Sequence, residues 1–210
     1  MLFFDIETEA NPDAIQFMPE PQAPGNYKDE AKIAAYIAEK QQEQIERAAL
    51  DADYGRIVAI GIKEDKYKVR SSLVGKKLSE TITVCEPSLL TWFWNKYDEH
   101  NGQCVGYNII GFDLPYLMRR SFALGIKPPM LPDLRRYQTH PTLDLMMVLY
   151  NWQNFKGLKF VAERYGLHNP LPDLDGSQVA GMDPETLRAY VENDVNLVYQ
   201  LYKRMEGVYF

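Results

Sequence analysis

The sequence predicts an α/β fold: a mixed five-stranded sheet flanked by helices, with a helical insertion between the first two strands. Three observations predict it. Short apolar or β-branched runs bounded by glycine and polar residues recur through the first two thirds of the chain. The first three runs follow one another, and beyond them strands alternate with helical patterns, which predicts a sheet antiparallel on one side and parallel on the other. The 210 residues, 46% apolar and 25% charged, suit one globular domain spanning 1–210.

The first run, Leu2-Phe3-Phe4-Asp5-Ile6, reads as a buried strand. Residues i and i+2 of a strand share a face, so Asp5 and Glu7 stand side by side. Two unpaired carboxylates that close repel and resist burial, and a divalent cation would resolve the conflict. The plainer alternative is that Glu7 lies past the strand end and is solvated.

Residues 12–24, rich in Pro, Gln and Glu, predict a loop. A helix follows from about Lys28 to Leu50, with only a thin apolar stripe of Ile33, Ile37, Ile45 and Ala49. The segment 11–53 therefore reads as an insertion that packs little against the core. Gly55–Lys63 is the second strand and Glu80–Glu86 the third. Pro87 opens a helix whose apolar side carries Leu89, Leu90, Phe93, Trp94 and Tyr97. Gln103–Asn108 is the fourth strand. Asp113 is expected to cap a helix that Gly125 stops. Thr142–Tyr150 reads as a fifth strand or a strand–helix junction, in which Asp144 is structural and caps a turn. Gly157–Gly166 is a short helix, and Asp183-Pro184-Glu185 opens a long one through about Arg204.

Several classes are excluded or disfavoured. No run of 18 apolar residues exists to span a membrane, and the N-terminus lacks a signal peptide, so the cytoplasm is expected. Cys85 and Cys104 form no CxxC pair; each falls in a predicted strand and reads as a small buried hydrophobe. His100, His140 and His168 lack zinc-ligand spacing, so any metal should be a hard one held by oxygen. A net charge of −6 argues against a tight nonspecific nucleic-acid binder but not against an enzyme that turns nucleic acid over. The basic pairs Lys76-Lys77, Arg119-Arg120 and Arg135-Arg136 are weak evidence. Trp92, Trp94 and Trp152 read as packing residues.

The last helix carries a stripe of Leu187, Tyr190, Val191, Asp194, Val198 and Leu201. Asp194 interrupts it, and no lysine or arginine lies three or four residues away to serve as partner. Glu192 and Asn193 fall on the outer faces and are expected to be solvated. In an open α/β sheet, sites form at the carboxyl ends of the strands. Asp5, Glu7 and Asp113 all lie there, and Asp194 can join them.

"FDIET", "NIIGFD" and "YVEND" resemble, in order, the three motifs of the DEDD superfamily of 3′–5′ exonucleases. Tyr190, four residues before Asp194, resembles the tyrosine of the DEDDy subtype. The Asn108-x-x-x-Phe112-Asp113 form is most similar to the proofreading exonuclease domain of family-B DNA polymerases. The resemblance implies a ribonuclease-H-like fold and, on this chain, a stand-alone relative of that domain. It implies hydrolysis of phosphodiester bonds from a 3′ end, releasing nucleoside 5′-monophosphates, with two divalent ions, Mg²⁺ or Mn²⁺. Asp5, Glu7 and Asp194 would hold one ion; Asp5 and Asp113 would hold the other. Tyr190 would position the attacking water, because a phenol of pKa about 10 is a poor base at neutral pH. Asn108 matches an asparagine that touches the strand, and Thr8 would contact the terminal nucleotide through its backbone. Phe112 is either a stacking platform for a base or core, and Tyr107 and Tyr116 have no assigned role. The implied partner is single-stranded nucleic acid or a 3′ end, DNA before RNA, with no membrane; protein partners are left open. An RNA exonuclease or a non-catalytic nucleic-acid-binding module are the alternatives.

Overall fold

Strand β1, Leu2–Ala10, is the centre of a five-stranded sheet. The computed structural model describes residues 1–65, 67–75 and 83–210. Along the chain, β1 is followed by helices α1 (Pro12–Ile15) and α2 (Glu30–Arg47), then strands β2 (Gly55–Glu64) and β3 (Arg70–Leu73). Helix α3 (Glu86–Glu99), strand β4 (Cys104–Gly106), helix α4 (Asp113–Ala123) and strand β5 (Thr142–Asp144) come next. Helices α5 (Leu145–Leu149), α6 (Leu158–Tyr165) and α7 (Pro184–Met205) complete the fold. The sheet order is β3-β2-β1-β4-β5, antiparallel from β1 through β3 and parallel from β1 through β5. The expected mixed sheet is thus observed.

The two faces of β1 sort the core. Leu2, Phe4 and Ile6 pack with Ile60 and Ile62 of β2 and with Leu89, Phe93 and Leu117 of α3 and α4. Phe3 faces the other way, among Val195, Val198 and Tyr202 of α7. By the same alternation Asp5 and Glu7 face α7.

Some details differ from the expectations. Among the described residues the third strand is Arg70–Leu73. Residues 80–82 of the expected strand Glu80–Glu86 lie outside the described residues, as do Lys76 and Lys77. Of the remainder, Thr83 forms an isolated bridge and Glu86 already belongs to α3. Cys85 is correspondingly exposed at the N-cap of α3, whereas Cys104 is buried in β4 as expected. Asp113 is the first residue of α4 and makes no cap; Phe112 precedes it in the capping position. Asn193 is buried rather than solvated, because its amide bridges Asn169 and Asp194. Glu192 is half-buried and accepts a 2.6 Å hydrogen bond from Ser71.

Helix α2 has no buried residue, as its thin stripe foretells. The end of the expected insertion is different. Ala48 and Ala52 are buried, Thr8 and Tyr116 both donate to the Ala49 carbonyl, and Arg120 donates to that of Ala52. Arg120 also forms a buried ion pair with Glu86, whose carboxylate accepts from Ile57 N–H at 2.9 Å. Residues 48–53 are therefore anchored in the core, and only the part before them projects. Among the described residues no helix is long and apolar enough to cross a membrane.

Candidate active site

The site forms where β1, α4 and α7 meet. Asp5 and Glu7 point from β1 toward α7, and Asp194 points back from α7. One carboxylate oxygen of each lies within 4.8 Å of the others. Two small residues of β2 allow this approach. Asp5 pairs with Gly61 and Glu7 with Ala59. A Cβ on Gly61 would stand 2.9 Å from Val195 Cγ2 and 3.0 Å from the Val191 carbonyl. Helix α7 therefore lies directly on the sheet beside Asp5, with Val191 and Val195 flanking Asp194. A register shift between Glu7 and Thr8 locally bends β1 just past the acids.

Asp113 arrives from the far side. Strand β4 ends at Gly106, so the continuing edge of β1 lacks a strand partner there. Asp113 Oδ1 accepts from Ile6 N–H at 3.2 Å instead. The turn carrying Asp113 is clamped by Asp144. Asp144 Oδ1 accepts from Asn108, Met146 and Met147 N–H, and Oδ2 accepts from Ile110 N–H at 2.9 Å. Asp144 is thus the N-cap of α5 and the anchor of the turn, the structural role expected of it.

These acids are held in an environment that resists their charge. Burial raises Asp5 well above the ordinary carboxylate range, and the charges of Asp113, Glu7 and Asp194 raise it further. Glu7 is raised by burial, then by Asp194 and Asp113. Burial, then Asp144, pushes Asp113 up to about 7, and burial pushes Asp194 up to about 6. Tyr190 lies beside Asp194, one turn earlier on α7, and is 5% exposed. Burial and the carboxylates of Asp194, Glu7 and Asp5 raise its hydroxyl far above the ordinary phenol range. Such a crowd of like-charged oxygens, buried at Glu7 and Asp113 and half-buried at Asp5 and Asp194, fits a hard divalent cation, which would supply the missing positive charge.

Sequence reasoning missed Lys159, on α6. Its charge lowers both Glu7 and Asp194, and its ammonium lies 5.7 Å from the Tyr190 ring centre. No spacing rule links residue 159 to residue 7; only the packing of α6 against α7 brings them together. The signal available was a half-polar short helix with one lysine in its first turn.

The other expected contacts are mixed. Asn108 sits in a left-handed conformation, φ +66°, and its side chain overlies Gly111, where a Cβ would stand 2.4 Å from Asn108 Oδ1. Phe112 is half-buried, packs on the core and meets Tyr116 at 5.3 Å, so part of its ring is committed to packing. The Thr8 hydroxyl is committed to Ala49, and Thr8 pairs with Ile57 of β2 just past the register shift. Tyr107 donates to the Lys156 carbonyl and Tyr116 to that of Ala49. Trp94 is core and donates to Ser121.

Residues 48–209 match a family model described as a predicted 3′-5′ exonuclease related to the exonuclease domain of PolB. The chain belongs to this family. The matched residues carry Asp113, Tyr190 and Asp194; Asp5 and Glu7 precede them. Among solved structures, the chain is similar to the family B DNA polymerase from the hyperthermophilic archaeon Pyrobaculum calidifontis, at 21% identity and a TM-score of 0.62. The likeness covers 97% of this chain and 24% of the polymerase, so the chain spans about a quarter of that protein's length. It shows the fold, the ribonuclease-H-like one implied by the motifs. Comparison with curated protein sequences gives no match.

Proposed function

We propose that the chain is a 3′–5′ exonuclease that releases nucleoside 5′-monophosphates from the 3′ end of DNA, using two divalent cations. One observation carries the reading: Asp5, Glu7 and Asp194 converge within 4.8 Å, from the first strand and the last helix of the chain. Glu7 is buried and Asp5 and Asp194 are half-buried, and like-charged acids gathered out of water at one point oppose folding unless a cation neutralises them. Family membership supports the reaction class, and the family's relation to PolB supports DNA.

Asp5, Glu7 and Asp194 are suited to hold one ion, and Asp5 with Asp113 the second. Bound Mg²⁺ or Mn²⁺ would neutralise the acids and stabilise the charge that develops on the phosphate and the leaving 3′-oxygen. The chain's own groups do the rest. Tyr190 stays a neutral phenol, since burial and three carboxylates oppose its ionisation. It therefore orients the attacking water by a hydrogen bond and does not take its proton. Lys159 keeps Glu7 and Asp194 closer to ionised and presents a cation toward the phosphate. Asn108 contacts the strand from its clamped turn. The Thr8 backbone meets the terminal nucleotide beside the bulge, and the free part of the Phe112 ring faces a base.

The test is release of 5′-monophosphates from matched 3′-labelled DNA and RNA single strands, with Mg²⁺, with Mn²⁺ and with chelator. Metal-dependent release from DNA, abolished by Asp5→Ala, is expected. Preference for RNA would move the substrate to the 2′-hydroxyl-bearing strand. No release from either strand, despite binding, would leave a nucleic-acid-binding module.

A further inference from the structure

We propose that a cavity beside the turn carrying Asp113 is a subsite for one nucleobase of a single strand, away from the acids. The proposal rests on the exonuclease reading and extends it to how the strand is held. The cavity, of about 270 Å³, is lined by Ile110 and Gly111 of that turn, by Arg136 and Tyr137, and by Trp152 and Phe155. Its size falls just below the roughly 300–1,000 Å³ of small-molecule sites, which suits one planar base and not a longer stretch of chain.

Three features point to a base. First, the walls are aromatic and open. Tyr137 is 70% exposed and Phe155 42% exposed, so neither is a core residue. Tyr137 and Trp152 meet with ring centres 4.9 Å apart and planes tilted by 55°; Trp152 packs on the core and supports Tyr137, whose exposed ring offers the open face. Exposed aromatic faces are the usual platform for unstacked bases.

Second, the backbone holds these rings in place at a cost. Tyr137 and Trp152 both have φ of +64°, and Asn151 and Asn154 are also left-handed. Bulky residues seldom adopt this conformation, and such residues concentrate at ligand-holding sites.

Third, the charge is right for a nucleotide. Arg135 is paired with Asp133, whereas Arg136 has no carboxylate partner among the described residues and borders the cavity. A free guanidinium beside an aromatic slot matches a phosphate next to a base. Continuity with the active site comes through the chain itself. Ile110 and Gly111 lie between Asn108 and Asp113, in the turn clamped by Asp144. A strand touching Asn108 can therefore lay a neighbouring base into the cavity.

The test uses the full chain and a fluorescent twelve-nucleotide oligothymidylate, with chelator present so that binding is read without cleavage. Tyr137→Ala and Phe155→Ala alter exposed side chains and are expected to weaken binding by about five- to a hundredfold, the loss of one stacked base. A series of oligonucleotides with a single abasic site moved along the strand should show one sensitive position in the wild type. That sensitivity should vanish in Tyr137→Ala. Hydrolysis of the p-nitrophenyl ester of thymidine 5′-monophosphate, which fills only the terminal site, should be unchanged in both variants. Equal oligonucleotide binding by wild type and both variants overturns the subsite, as does an abasic series without a sensitive position. Parallel loss of ester hydrolysis in the variants also overturns it, by placing these rings in the reacting site. A wild type that binds with one sensitive position yet cleaves nothing upholds the subsite and refutes the exonuclease reading alone.

Discussion

Replacing Asp194 with asparagine should stabilise the metal-free protein at alkaline pH. Burial moves this carboxyl from an ordinary 3.8 to about 6. At about 1.4 kcal/mol per tenfold change in an ionisation constant, its charged form costs the metal-free fold about 3 kcal/mol. A raised acid favours folding most below its unfolded pKa, near 4, and that contribution is lost as pH rises through about 6. The cost is therefore small at pH 4 and complete at pH 8. The Asp194→Asn side chain would keep an acceptor for Asn193, which donates to Asp194 Oδ1 at 3.2 Å, and for the Tyr190 hydroxyl, so the main change is loss of the charge. For a chain of this length, about 3 kcal/mol corresponds to roughly 6–12 °C in Tm. Thermal melts in chelator at pH 4 and pH 8 measure it: the variant and wild type should nearly coincide at pH 4, and the variant should melt higher by far more at pH 8. Adding Mg²⁺ at pH 8 should raise the wild type and move the variant little. A variant that melts at or below the wild type at pH 8 in chelator would refute the reasoning. It would mean that Tyr190, Lys159 and Asn193 already offset the Asp194 charge in full and that the acid cluster needs no cation.

Other outcomes are expected from the same geometry. Tyr190→Phe should keep the fold and slow nucleotide release on the order of ten- to a thousandfold. The shape of its pH profile should match the wild type, because the hydroxyl is neutral throughout; steady-state rates from pH 6 to 9 check this. Gly61→Ala should lift α7 from the sheet at β2, costing about 1–3 kcal/mol in urea unfolding and separating Asp194 from Asp5, with a larger loss of activity than of stability. Asp144→Ala should strand four backbone N–H groups at the turn, and a loss below about 1 kcal/mol in the same measurement would contradict the clamp. Excising residues 16–46 should leave a cooperative melt and shift preference between single-stranded and duplex 3′ ends. Excising 11–53 should not, because Ala48, Ala49 and Ala52 would go with it.

By itself the sequence determined what local periodicity encodes. The alternation of β1 put Asp5 and Glu7 on one face, and the 3.6-residue repeat of α7 put Tyr190 and Asp194 on one stripe. Both needed only the geometry of an isolated strand or helix. The mixed sheet followed from the order of the apolar runs. The exposed α2 followed from its thin stripe. Short-range patterns fall silent where an element owes its state to distant neighbours. Arg70–Leu73 is a strand because β2 offers it an edge, and its own residues carry no strong apolar alternation. The run ending at Glu86 looked like a strand, yet Ser88 side-chain bonds to Cys85 start a helix there. Asn193 is buried because Asn169 comes to meet it, and Lys159 reaches Glu7 and Asp194 because α6 packs on α7. Residues 48–53 belong to the core because Arg120, Tyr116 and Thr8 all seek their carbonyls. The distance between the acids of β1 and α7 also belongs to the tertiary structure alone. It depends on Gly61, whose missing Cβ lets the helix rest on the sheet, and no period in either element records that contact.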